Sequence, residues 1–152
     1  MERHHRKFNE IKELLQQQLG DKITVSEEHG NETLELTGSS FWLMADHSEL
    51  TVGYGLNHTH FSDQYNNLED GIAQVFDLLT HPIRTTEYIK GNTVFKTTVE
   101  IVFPNSQGVN IGTTSLLFYP FWKKTKIQIS ISEKVMEKKE IEEEVNRILN
   151  KK

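Results

Sequence analysis

The segment from Phe41 to Tyr54 constrains the fold more than any other, because two apolar-rich runs flank the turn-forming stretch Asp46 to Glu49 and each tests the register of the other. Setting Ala45 opposite Leu50 also sets Leu43 opposite Val52 and Phe41 opposite Tyr54, so these apolar side chains all fall on one face of a hairpin. Such a face must be covered by something apolar.

Two further hairpins are expected. Residues 22–38 read as short strands around His29-Gly30-Asn31-Glu32, with Ile23 and Val25 facing Leu34 and Leu36. Gly91-Asn92 is a two-residue loop of the kind primed turns favour. Pairing Lys90 with Thr93 there places Tyr88 across from Phe95 and Glu87 across from Lys96, and the apolar face continues through Val99, Ile101 and Phe103. After a loop from Pro104 to Gly112, residues 113–119 and 125–131 read as strands, the last alternating Ile127, Ile129 and Ile131 with Gln128 and Ser130.

Three segments carry helical periodicity. Phe8, Ile11, Leu15 and Leu19 form one apolar stripe that stops at Gly20; Leu68, Ile72, Val75, Phe76 and Leu79 form a second that ends at His81-Pro82. Ile141, Val145, Ile148 and Leu149 form a third on a charged segment starting near Ser132, a natural N-cap. The predicted order is helix, strands, helix, strands, helix. Strand runs joined by short turns favour an α+β fold, with curved antiparallel sheet and three helices on one side, over a parallel doubly wound one. A length of 152 residues fits one domain spanning 1–152, with 1–5 and 150–152 mobile.

Charge narrows the partners. A net charge of -5 argues against nucleic acid, which needs a basic face, and suits a cationic partner. The absence of cysteine excludes disulfide frameworks, thiolate zinc sites and cysteine nucleophiles. With no secretory leader pattern and no apolar run near the roughly 20 residues needed to span a bilayer, a cytoplasmic protein free of the membrane is expected. No nucleophile elbow, phosphate loop, dinucleotide fingerprint or H-E-x-x-H helix occurs.

Chemistry concentrates at His58 and His60, with Asp63 near enough to be a third metal ligand. In an extended chain the two imidazoles share a face, about 7 Å apart at Cβ. A divalent metal held there would act as a Lewis acid or activate a water; otherwise no cofactor is called for. Continuing the strand of Leu50, Val52 and Tyr54 puts both histidines on the core-facing row, where they equally suit ordinary hydrogen bonds closing the sheet end. Gly53 and Gly55 could bulge the strand and change that side.

A second feature is the aromatic run Phe118 to Trp122, followed by two lysines. Its alternate members should enter the core, with Pro120 breaking the strand; exposed instead, Phe121 and Trp122 are natural anchors for a protein partner. Glu27, Glu28, Glu32 and Glu35 of the first hairpin offer an acidic surface. The last helix is also rich in glutamate, which reads as a solvated face with weak ion pairs. His4 and His5 lie at the expected mobile N-terminus.

The stretch LTVGYGLNHTHF and the amphipathic helix after it resemble small bacterial proteins, some of which look like immunity proteins of polymorphic toxin systems, and the resemblance covers Trp42 to Leu79. That resemblance implies a cytoplasmic, non-enzymatic protein that sequesters a basic toxin domain by surface complementarity, and assigns no residue a role. The competing expectation is a small metal-dependent enzyme or ligand-binding protein centred on His58, His60 and Asp63.

Overall fold

Helix α1 (Arg3–Leu19) begins earlier than its apolar stripe alone would place it, because His4 and Lys7 join Phe8, Ile11, Leu14 and Leu15 on the buried face. Gly20 ends it with φ of 59°, a left-handed conformation that a residue with a Cβ adopts only under strain. The described residues are 1–105 and 107–152 of a computed structural model. They form two compact units, Met1–Asp77 with Glu137–Lys152, and Leu78–Met136.

In the first unit, β1 (Ile23–Glu28), β2 (Asn31–Leu36), β3 (Phe41–Ala45), β4 (Leu50–Tyr54) and β5 (Asn57–Phe61) form an antiparallel meander in chain order. The first two hairpins have the expected registers: Val25 faces Leu34, Leu43 faces Val52 and Phe41 faces Tyr54. Leu34, Leu43, Leu50 and Val52 are buried on one face, and α1 packs over β1, β3 and β4. The N-terminal part of α2 (Leu68–Thr80) and all of α3 (Lys138–Asn150) complete this unit. Gly71 of α2 lies so close to Phe61 that a Cβ would come within 2.5 Å of the ring.

The second unit is a four-stranded antiparallel sheet of order β8-β7-β6-β9, built from β6 (Ile83–Lys90), β7 (Thr93–Val102), β8 (Gly108–Ser115) and β9 (Thr125–Ser132). Ile83, Val99 and Ile101 are buried on one face of it. The chain is therefore α+β, with two antiparallel sheets and three helices in the expected order.

Four local expectations are corrected. A register shift after Tyr88 leaves Phe95 out of the ladder, so Tyr88 pairs with Lys96 and Glu87 with Thr97. β8 begins at Gly108 and ends at Ser115, because the aromatic run bends away from the sheet. Ser132 closes β9 and does not start a helix; α3 starts at Lys138 after Glu137. Residues 3–5 are the first turn of α1, with His4 buried and its Nε2 2.8 Å from the Asp46 carbonyl oxygen.

Among the described residues no helix is long and apolar enough to cross a membrane.

Candidate functional site

The histidines lie on the face opposite the core. Gly55, with φ of 62°, and Leu56 turn the chain so that Tyr54 pairs with Asn57, Gly53 with His58 and Thr51 with His60. A two-residue turn pairs an even-numbered residue with an odd one, so the buried row of Leu50, Val52 and Tyr54 continues through Asn57, Thr59 and Phe61. The expectation that His58 and His60 extend the core-facing row fails for this reason: it ran one strand straight through a hairpin.

On that open face His58 and His60 meet edge to face, ring centroids 5.1 Å apart, and the Trp42 ring lies 5.9 Å from His58. Trp42 covers Gly53, where a Cβ would come within 2.0 Å of the indole, and its Nε1 donates to the Gly55 carbonyl at 2.9 Å. His60 Nδ1 sits 2.6 Å from a Glu49 carboxylate oxygen and 3.1 Å from the Thr51 hydroxyl. Asp63 takes no part in this group. It is bound, with Glu69, by the Arg3 guanidinium. Among the described residues no group of three or more His, Asp or Glu side chains converges to hold a metal ion.

The Arg3 clamp shifts its partners. Its hydrogen bond holds the Glu69 carboxyl below the ordinary 4.5, against a smaller opposing effect of burial. At Asp46, burial pushes the carboxyl up, but the backbone N–H groups of Ser48 and Glu49, at 2.7 and 2.9 Å, outweigh it and hold the group below 3.8. A carboxylate depressed in the folded state contributes stability above its unfolded value that is lost as pH falls through the folded one. Stability should therefore drop below about pH 4.5, and Glu69→Gln should flatten part of that drop. Because the pair is half exposed, its share is under about 1 kcal/mol. Urea titrations at pH 7, 4 and 3 check this, and an identical pH dependence in parent and variant would refute it.

The four hairpin glutamates do not form one surface. Glu27 opposes Glu32 on the side that faces α1, where Glu32 pairs with Lys12 at 3.2 Å. Glu28 and Glu35 point to the other side, and Glu35 neighbours Trp42 across the ladder.

The aromatic run of the second unit does not enter a core. Phe118 is 91% exposed, and Phe121 and Trp122 are each 73% exposed. The segment is nevertheless pinned: Leu116 N–H donates to the Phe95 carbonyl at 2.8 Å, Tyr119 stacks on Phe95 at 4.6 Å, and Lys90 Nζ donates to the Lys123 carbonyl at 2.9 Å. Phe95 can receive Tyr119 because the β7 irregularity frees it from the ladder. Phe121 and Trp122 then meet edge to face at 5.3 Å. Leu117, 90% exposed, belongs to the same surface and was not singled out by sequence; its only signal is its place beside the aromatics.

Comparison with protein-family models, curated proteins and solved structures found no match.

Proposed function

We propose that the chain is a protein-binding domain, of the kind immunity proteins represent, that sequesters a basic partner such as a toxin domain. The observation that carries this reading is the pinned loop with Leu117, Phe118, Phe121 and Trp122 turned outward. Large apolar side chains grouped at the surface are characteristic of interaction sites, and aromatic anchors held in place before binding lose little entropy on docking. The net charge of -5 would speed encounter with a cationic partner, an effect that weakens with salt. The outward carboxylates Glu28 and Glu35 add to that field. Binding of this kind requires no catalytic step.

The test uses the product of the adjacent gene as the candidate toxin. The purified pair should form a complex, and Phe121→Ser with Trp122→Ser should weaken it at least 100-fold, since two hot-spot aromatics contribute about 2 kcal/mol or more each. Both side chains are exposed, so circular dichroism should be unchanged. An unchanged affinity in the double variant would remove the loop from the interface, and no complex at all would remove the reading.

A further inference from the structure

Of the four sheet edges among the described residues, three are guarded against pairing with another strand. β1 ends in Glu27 and Glu28, β5 is only five residues long, and the β7–β8 ladder is interrupted by a register shift beside Gly112. Charge, brevity and bulges are the usual devices that keep an edge unpaired. The fourth, β9, is eight residues long, has no proline or bulge, and is exposed throughout. Its one charged residue, Lys126, lies near its start.

The hydrogen-bonding direction of β9 follows from its neighbours. Val102 N–H donates to the Pro82 carbonyl at 2.9 Å, so even-numbered residues at this end of β6 bond to β7. Odd-numbered Ile83, Thr85 and Glu87 therefore bond to Ser132, Ser130 and Gln128 of β9. The N–H and C=O groups of Ile127, Ile129 and Ile131 then point out of the sheet. Their side chains, 59 to 60% exposed, share one face, the one opposite buried Ile83, Val99 and Ile101. One set of three residues thus carries both the free backbone groups and the apolar strip.

We propose that this edge binds the same edge of a second copy of the chain, antiparallel and two-fold symmetric, joining two four-stranded sheets into one of eight. The strand is complementary to itself. With Ile129 on the axis, Ile129 faces its own copy, Ile127 faces Ile131, and Lys126 faces Ser132. Moving the register two residues one way sets Lys126 against Lys134 and Ile127 against Glu133. Moving it the other way sets Ile131 against Thr125. Only the centred register sets every isoleucine against an isoleucine; the one like-charge pair it brings, Lys124 with Lys134, lies beyond the ends of the strand. A two-fold interface needs this kind of self-complementarity, which an arbitrary partner strand would not require. Three isoleucines at about 100 Å² each, with the strand edge, give on the order of 400–500 Å² per copy, below the roughly 800 Å² of a standard interface. The dimer should accordingly be reversible, with a dissociation constant on the order of 10 µM.

Sedimentation of the purified full chain from 1 to 500 µM, without any partner, should show monomer passing to dimer. Ile129→Lys puts two ammonium groups face to face and should weaken dimerisation at least 10-fold, with the circular dichroism spectrum unchanged because the side chain is largely exposed. The chain has no cysteine, so Ile129→Cys treated with diamide should cross-link to its own copy, the opposed Cα atoms lying about 5.5 Å apart. Val109→Cys, on the far edge, should not cross-link. Monomer at every concentration overturns the proposal, as does a dimer indifferent to Ile129→Lys or a cross-link no faster at Ile129→Cys than at Val109→Cys. If the chain is monomeric but Ile129→Lys abolishes toxin binding, the edge serves a partner strand instead. The protein-binding reading would then survive while this proposal fails.

Discussion

Lys7→Met should lower the stability of the first unit by roughly 2–4 kcal/mol, an unusually large effect for removing a lysine. Lys7 is fully buried on α1. Its ammonium donates to the Ile148 carbonyl, to the Lys151 carbonyl at 2.6 Å and to Glu10 at 3.4 Å. The final carbonyls of α3 have no partner within their own helix, and a cation at a helix C-terminus also meets the negative end of its dipole. One side chain thus ties the first helix to the end of the last. Methionine fills the space and supplies no donor, so the buried Ile148 oxygen is left without its partner and the part-buried Lys151 oxygen loses its own.

Lys12→Met is the matched control. Lys12 makes one partly exposed ion pair, with Glu32, and its loss should cost under about 1 kcal/mol. The two tryptophans fall in different units, Trp42 in the first and Trp122 in the second. In a Trp122→Phe background, urea unfolding followed by tryptophan fluorescence therefore reads the first unit alone. A Lys7→Met midpoint within about 0.5 kcal/mol of the parent would show that the carbonyls find other donors. Hydrogen exchange should localise the damage to α3.

Lys7 also marks the limit of what the sequence reveals. It falls at helical spacing beside Ile11 and Leu14, but a lysine at such a position ordinarily reads as solvated, and the carbonyls it binds lie more than 140 residues away. The first two hairpins were legible because one pairing brings the apolar residues of both strands onto a single face. The histidine face was not, since a two-residue turn reverses parity and Gly55 looked like part of a continuous strand. The irregularity in β7 was hidden because Phe95 is as good a strand residue as its neighbours; only the ladder shows that it is skipped. The aromatic run was recognised, but its exposure depends on β8 stopping at Ser115, which no local residue signals. Asp63, expected as a metal ligand, pairs instead with Arg3, a residue of the segment expected to be mobile.

Gly71→Ala and Gly53→Ala should differ sharply although each adds the same methyl group. At Gly71 the new Cβ would lie 2.5 Å from the Phe61 ring, and Phe61 is buried at the foot of β5. The ring cannot leave without opening the core, so overpacking should cost about 1–3 kcal/mol. Alanine's helix preference recovers at most about 1 kcal/mol of that. At Gly53 the clash is closer, 2.0 Å from Trp42, but Trp42 lies on the open face and can swing into solvent. There the loss is the Nε1 bond to the Gly55 carbonyl and the cover over the strand, about 1 kcal/mol. The Trp122→Phe background separates the two outcomes: Gly53→Ala should red-shift Trp42 emission with a small loss of stability, and Gly71→Ala should lower the urea midpoint with emission unchanged. The reverse pattern would mean that Phe61 has room to move and Trp42 does not, contrary to the burial of the one and the open setting of the other.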